Sequence, residues 1–112
     1  MVKISYTTGA VYQGQMKCGF REGHGTMSWK DGAIYSGFWQ YGYANGQGKF
    51  QYADGGVYNG DWLDNKKSGD GEYLSDKTNY NGEWKNNAMH GYGVETLKNG
   101  TKFEGTYYQS KK

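Results

Sequence analysis

The sequence predicts an all-β fold, a single-layer elongated antiparallel sheet of about ten strands built from tandem β-hairpin repeats. Three marks recur in register. An aromatic-x-Gly-x-apolar segment appears at Tyr12–Met16, Tyr35–Trp39, Tyr58–Trp62, Tyr80–Trp84 and Phe103–Tyr107, with its glycines 23, 23, 22 and 23 residues apart. A Gly-x-Gly pair follows at Gly23/Gly25, Gly46/Gly48, Gly69/Gly71 and Gly91/Gly93. Between them lie the turn pairs Asp31-Gly32, Asp54-Gly55 and Asn99-Gly100, with Thr8-Gly9 in the matching place at the start.

Composition agrees with a thin structure that nevertheless folds. Only 35% of the 112 residues are hydrophobic and the mean hydropathy is −1.02, too polar for a thick core. Twenty glycines would suit a disordered chain, but 18% aromatic residues would not. Proline is absent, as expected where nearly every backbone N–H joins a ladder. The formal charge of +2 is spread without a like-charge block, which argues against nucleic acid as a partner. The chain has no apolar run long enough to span a bilayer and no apolar stretch typical of a secretory leader, so a soluble, cytoplasmic location is expected. The one cysteine, Cys18, cannot form an internal disulfide and fits a reducing compartment.

The period divides the chain into a partial repeat at 1–11, repeats at 12–34, 35–57, 58–79 and 80–102, and a partial repeat at 103–112. Within each aromatic segment the large residues and the glycine sit at i, i+2 and i+4 and so share one face of a strand. The intervening Gln13, Gln15, Ser36, Asn59, Asp61, Asn81, Glu83, Glu104 and Thr106 face the other way, with Phe38 the apolar exception. Ile4 with Tyr6, Met27 with Trp29, and Phe50 with Tyr52 alternate likewise and mark partner strands. Each Asp-Gly or Asn-Gly is expected to form a two-residue type I′ turn, and each segment such as Lys17 to His24 a looser loop at the opposite edge. The repeat at 58–79 is one residue short and has Asp76-Lys77 where the others have Asp-Gly, so its turn should differ. Ten strands at a spacing of about 4.8 Å make a ribbon roughly 48 Å long.

These residues resemble the MORN repeat, whose pattern runs Tyr-x-Gly-x-Trp, a polar loop, Gly-x-Gly, a short apolar strand and Asp-Gly; residues 35–57 match it almost completely. His90-Gly91 also fits the family's loop, whereas Glu22-Gly23 and Asn45-Gly46 depart from it, Met16 replaces the first tryptophan, and Phe103 and Tyr107 are conservative exchanges. The resemblance implies a non-enzymatic attachment platform in cytoskeletal, ciliary or membrane-linked assemblies. It would bind an extended or helical protein segment, or a phospholipid surface. A third implication is an accessory module for an enzyme such as a lipid kinase.

The candidate partner-binding residues are Tyr12, Tyr35, Trp39, Tyr58, Trp62, Tyr80, Trp84 and Phe103. Such rings could simply pack on one another, but a one-layer sheet has no second layer to cover them, which favours packing together with a partner. A lipid site would rest on Lys17, Arg21, Lys66, Lys67, Lys85, Lys111 and Lys112, of which only Lys66 and Lys67 are adjacent within one loop. Catalysis has little support. His24 and His90 belong to different repeats, and Asp61 and Glu83, one strand apart, would face open water. Neither a metal nor a cofactor is expected, and the Gly-x-Gly pairs precede no helix that could present its N-terminus to a phosphate. End strands around Ile4 and Phe103 could pair with a second copy.

Overall fold

A computed structural model describes residues 2–111, with side chains from Val2 to Tyr108. The strands are β1 (Val2–Ser5), β2 (Val11–Lys17), β3 (Phe20–Ser28), β4 (Ile34–Gln40), β5 (Tyr43–Gln51), β6 (Val57–Leu63), β7 (Lys66–Leu74), β8 (Thr78–Lys85), β9 (Ala88–Leu97) and β10 (Lys102–Lys111). Each pairs antiparallel with the next in one open sheet, in chain order. The sheet measures 45 × 23 × 18 Å, so the strands are stacked almost in a straight row, as the spacing argument requires.

The register explains the glycines. Gly14 lies opposite Gly25, Gly37 opposite Gly48, Gly60 opposite Gly71 and Gly82 opposite Gly93. The tyrosine two residues before the first member of each pair lies flat over both. A Cβ on Gly48 would come within 2.2 Å of the Tyr35 Oη, and one on Gly37 within 2.5 Å of the Gly48 Cα. With no Cβ in the way, the phenol reaches past the glycines and donates a hydrogen bond to a backbone carbonyl three residues on: Tyr12 to Gln15, Tyr35 to Phe38, Tyr58 to Asp61 and Tyr80 to Glu83, at 2.7–3.0 Å.

The tryptophans join one repeat to the one before it. Trp39 Nε1 donates to the Gly25 carbonyl, Trp62 Nε1 to Gly48 and Trp84 Nε1 to Gly71, at 3.0–3.1 Å. Each indole meets two tyrosines edge to face: Trp39 stands 5.6 Å from Tyr12 and 5.0 Å from Tyr35, Trp62 5.3 Å from Tyr35 and 5.2 Å from Tyr58, Trp84 5.2 Å from Tyr58 and 5.1 Å from Tyr80. Tyr107 closes the row, 5.2 Å from Tyr80. Such pairs add about 0.5–1.5 kcal/mol each beyond the area they bury. The core is therefore a ladder of rings along one side of the sheet.

The turns reverse the sequence-based expectation. Cys18-Gly19, Tyr41-Gly42, Asp64-Asn65 and Asn86-Asn87 are the two-residue connections with positive φ at both positions, the type I′ pattern. At the Asp-Gly connections only the glycine has positive φ. Trp29 N–H bonds the Ala33 carbonyl at 2.9 Å, Gly32 N–H bonds the Trp29 carbonyl at 3.0 Å, and the Asp31 carboxylate accepts from Ala33 N–H. That is a three-residue loop ending in a left-handed glycine, to which Lys30 belongs as well.

The segment expected to be a loop is instead strand with a bulge. Opposite Gln15 stand three residues, Glu22, Gly23 and His24, and Gly23 takes φ +80° to make the bend. Gln15 Oε1 fills it by accepting from His24 N–H at 2.8 Å. Asp61 does the same for Asp70 N–H and Glu83 for Tyr92 N–H. The short repeat behaves as expected: Ser75 and Thr78 close a turn over Asp76-Lys77 with no positive φ, held by the Ser75 hydroxyl.

Gly37→Val places branched carbon against the Gly48 Cα and the Gln47 carbonyl, backbone atoms that cannot swing aside. Overpacking of this kind costs about 1–3 kcal/mol. Thermal melts should fall by at least several degrees, and by more than for Gly55→Ala, where a Cβ meets nothing within 4 Å and only the φ of +100° is strained. Equal melts for the two variants would show that space between the strands is not the constraint.

Candidate functional site: the aromatic face

The stripe of rings expected to meet a partner is mostly interior. Tyr12, Tyr35, Tyr58 and Tyr80 are at most 1% exposed, and Trp39, Trp62 and Trp84 are buried. Phe103, on the last strand, is 52% exposed. The ladder thus supplies the floor of the aromatic face, and little of the four tyrosines is left to touch anything else.

The accessible part of that face comes from the shorter alternating segments. Trp29, 37% exposed, stands 5.6 Å from Phe50; Phe50 is 4.7 Å from Tyr52, and Tyr52 5.7 Å from Tyr73. Together with Trp39 and Trp62, Trp29 and Phe50 border a cleft of about 220 Å³ that Arg21 and Asn65 also line. A shallower depression continues from Phe50 and Tyr52 toward Lys67 and Asn87.

Arg21, Ala44, Lys67 and Met89 occupy equivalent places, the second residue after each two-residue turn, and all fall on the aromatic face. Arg21 lies 4.9 Å over the Trp39 ring, and its guanidinium donates to the Tyr6 hydroxyl at 3.0 Å and to the Gly42 carbonyl at 2.7 Å. Lys67 is only 4% exposed; its ammonium donates to the Tyr52 hydroxyl at 2.7 Å and sits 4.9 Å over Trp84. Lys66 is exposed on the opposite face. The two adjacent lysines therefore do not form the paired basic patch expected of a lipid site, because strand alternation sends one of them inward. Lys17 and Lys85 are exposed, while the side chains of Lys111 and Lys112 lie outside the described residues.

Neighbouring turns are tied together. Gly42 N–H bonds the Arg21 carbonyl, Asn65 N–H that of Ala44, and Asn87 N–H that of Lys67, at 3.0–3.1 Å. The Asn65 and Asn87 side-chain oxygens accept in return from Ala44 N–H and Lys67 N–H at 2.6 and 2.8 Å. This stitching holds the cleft wall.

Elsewhere the chemistry-bearing residues stay apart. His24 packs edge to face on Phe38 within β3 and β4, whereas His90 lies beside Tyr108 at the other end of the sheet. Asp61 and Glu83 are each bonded to the bulge of their own hairpin. Cys18 is exposed in a turn. One feature was not foreseen: Phe20, Tyr41, Tyr43 and Leu63 are exposed along the row of two-residue turns, with Phe38 nearby on the polar face. Reading Lys17–His24 as a loop hid the alternation that would have placed them.

The family model for the MORN repeat matches residues 12–34, 35–57, 58–77 and 80–102, most of the chain. The chain belongs to the MORN repeat family. No curated protein gives a significant match. In this MORN array the third match ends at Lys77, in the shortened turn, and the third and fourth repeats are joined through Thr78 and Asn79.

Burial also sets the pH response of the MORN array. Loss of hydration pulls the Lys67 ammonium down from 10.5 to about 8. Between those values the unfolded chain holds a proton that the folded chain has released, so stability rises with pH. Burial pushes the phenols of Tyr35, Tyr52 and Tyr80 up from 10.0 to about 12, and Tyr58 further in the same direction. Above pH 10 the unfolded chain loses phenol protons that the folded one keeps, and stability falls. Denaturant midpoints measured across this range should peak near pH 10, and Lys67→Met should remove the rising limb while leaving the fall. A flat profile between pH 8 and 10 in the unaltered chain would contradict the burial of that amine.

Proposed function

We propose that this chain is a non-enzymatic attachment platform that binds a segment of another protein along its aromatic face, within a cytoskeletal or ciliary assembly of the kind the family resemblance implies. The observation that supports it most is the row of half-exposed rings, Trp29, Phe50, Tyr52 and Tyr73, of which Trp29 and Phe50 border an open cleft, on a sheet that no second layer covers among the described residues. Exposed aromatic surface of this kind is where binding energy concentrates in protein interfaces. The ladder beneath is bonded ring by ring to the backbone, so the surface is held rigid before a partner arrives, which lowers the cost of binding.

A second reading, attachment to a membrane surface, has one observation in its favour. The exposed Phe20, Tyr41, Tyr43 and Leu63 share the row of turns with Lys17, Lys66 and Lys85, an apolar edge flanked by cations. Lys67 contributes nothing to it.

Trp39→Ala and Trp62→Ala would remove rungs of the ladder and so test stability as much as binding. The informative variant is Trp29→Ser with Phe50→Ser. It should abolish capture of the native partner from a cell extract while the melting temperature falls only modestly, and Phe38→Ser on the polar face should leave capture intact. Retained capture by the double variant would refute docking on this face. Binding to phosphatidylserine vesicles at physiological salt, lost on Phe20→Ser with Leu63→Ser, would instead favour the membrane reading.

A further inference from the structure

Among the described residues of the strands, three charged side chains fall on the aromatic face, Arg21, Lys67 and Glu95, and they are not equivalent. Glu95 accepts from the Thr78 hydroxyl at 3.0 Å and the Tyr107 hydroxyl at 3.4 Å. Lys67 is buried on Tyr52 and Trp84. Arg21, half-buried, borders the cleft directly. Its two side-chain hydrogen bonds go to neutral oxygens, its Nε is buried without an acceptor, and no carboxylate among the described residues forms an ion pair with it.

A guanidinium carries five N–H donors and is always charged, and a buried donor left unmade costs the full desolvation of that group. The surrounding rings stabilise the charge through their faces but cannot accept its hydrogen bonds as an oxygen does. Here the Trp39 face lies at 4.9 Å and the Tyr12 face at 6.0 Å. The buried Nε is closed to a partner, but each terminal nitrogen keeps one N–H beyond its bond to Tyr6 or Gly42, and the acceptor the site lacks for these is an anion.

The rest of the cleft says what should carry that anion. Its floor and sides, Trp29, Phe50 and Trp62, are apolar, and about 220 Å³ accommodates one large side chain. On the far side Asn65 has its oxygen tied to Ala44 N–H, which leaves the amide N–H groups available to a peptide carbonyl.

We infer that the cleft between Arg21 and Asn65 selects a peptide segment with an acidic side chain beside a large apolar one, the carboxylate pairing with Arg21 and the apolar side chain lying against Trp29, Phe50 and Trp62. The inference rests on the docking function proposed above and adds the charge that the partner must bring. Ala44 and Met89, which hold the same place in other repeats, offer no such anchor, so Arg21 fixes the position of the partner along an otherwise repetitive sheet.

The test uses random-sequence peptides displayed on phage and selected on the immobilised full chain, followed by synthetic copies of the winners with Glu or Asp changed to Gln or Asn. Acidic residues next to Leu, Phe or Trp should be enriched. The amide copies should bind about tenfold or more weakly, as for loss of a hydrogen bond to a charged group. Arg21→Met should erase that ratio, and Arg21→Lys should keep part of it. Enrichment of apolar peptides with no acidic preference, or an acid-to-amide ratio unchanged in Arg21→Met, overturns the inference while leaving the docking surface in place. No enrichment above that seen on Trp29→Ser with Phe50→Ser overturns both. Should Arg21→Met fail to fold, the amide copies measured on the unaltered chain still decide whether the carboxylate matters.

Discussion

A phenol ring lying across two facing glycines is the contact on which this structure depends. The glycines must be opposite each other, or the backbone of one strand would carry a Cβ into the ring lying over its neighbour. Once they are opposite, the register of the strand pair is set, because slipping by two residues would bring side chains under the tyrosine and slipping by one would turn the rings outward. In most sheets a second layer would enforce such a choice. Here each tyrosine does so locally, by filling the space two Cβ atoms would have taken and bonding to the carbonyl beyond.

The tryptophans then turn local pairs into one object. Each indole bonds to a carbonyl of the preceding repeat and stands edge-on between the tyrosines of two successive repeats. The interface between repeats is thus the core itself, and no repeat encloses a core without its neighbour, the nearest-neighbour dependence expected of such arrays. The first and last copies illustrate the rule from the other side. Met16 stands where the others have tryptophan, next to the short strand β1, and among the described residues Tyr107 is the last ring of the row, meeting Tyr80.

Periodicity made much of this legible. Aromatic, glycine and apolar residues at i, i+2 and i+4 were enough to assign strand, face and repeat, and the equal spacing of Gly-x-Gly was enough to pair them. Two things were not legible, for different reasons. Asp-Gly is a strong hairpin signal, but it leaves open whether the pair forms the whole turn or the end of a three-residue loop, and Trp29 and Lys30 before it are not turn-forming types that would reveal the answer. Conversely Tyr41 and Cys18 adopt positive φ against their own preference, because the strands on either side are already fixed by the ladder. The bulge was hidden by the same polar, glycine-rich composition that a loop would show. Misreading it concealed which side Lys67 faces and therefore that it is buried.

Burial of the ladder has a consequence for recognition. Because the largest rings are committed to holding the strands together, the positions free to vary between repeats are those that the ladder does not constrain: the rim, where Trp29, Phe50, Tyr52 and Tyr73 stand, and the place occupied in turn by Arg21, Ala44, Lys67 and Met89. A repetitive floor presents nearly the same surface every two strands, so alone it would let a bound segment slide from one repeat to the next. A charge at one repeat and an alanine at its neighbour break that degeneracy. In the docking proposed above, selectivity and most of the contact area therefore belong to the residues that the ladder leaves unconstrained, while the buried rings that the repeat specifies supply the rigid floor beneath them.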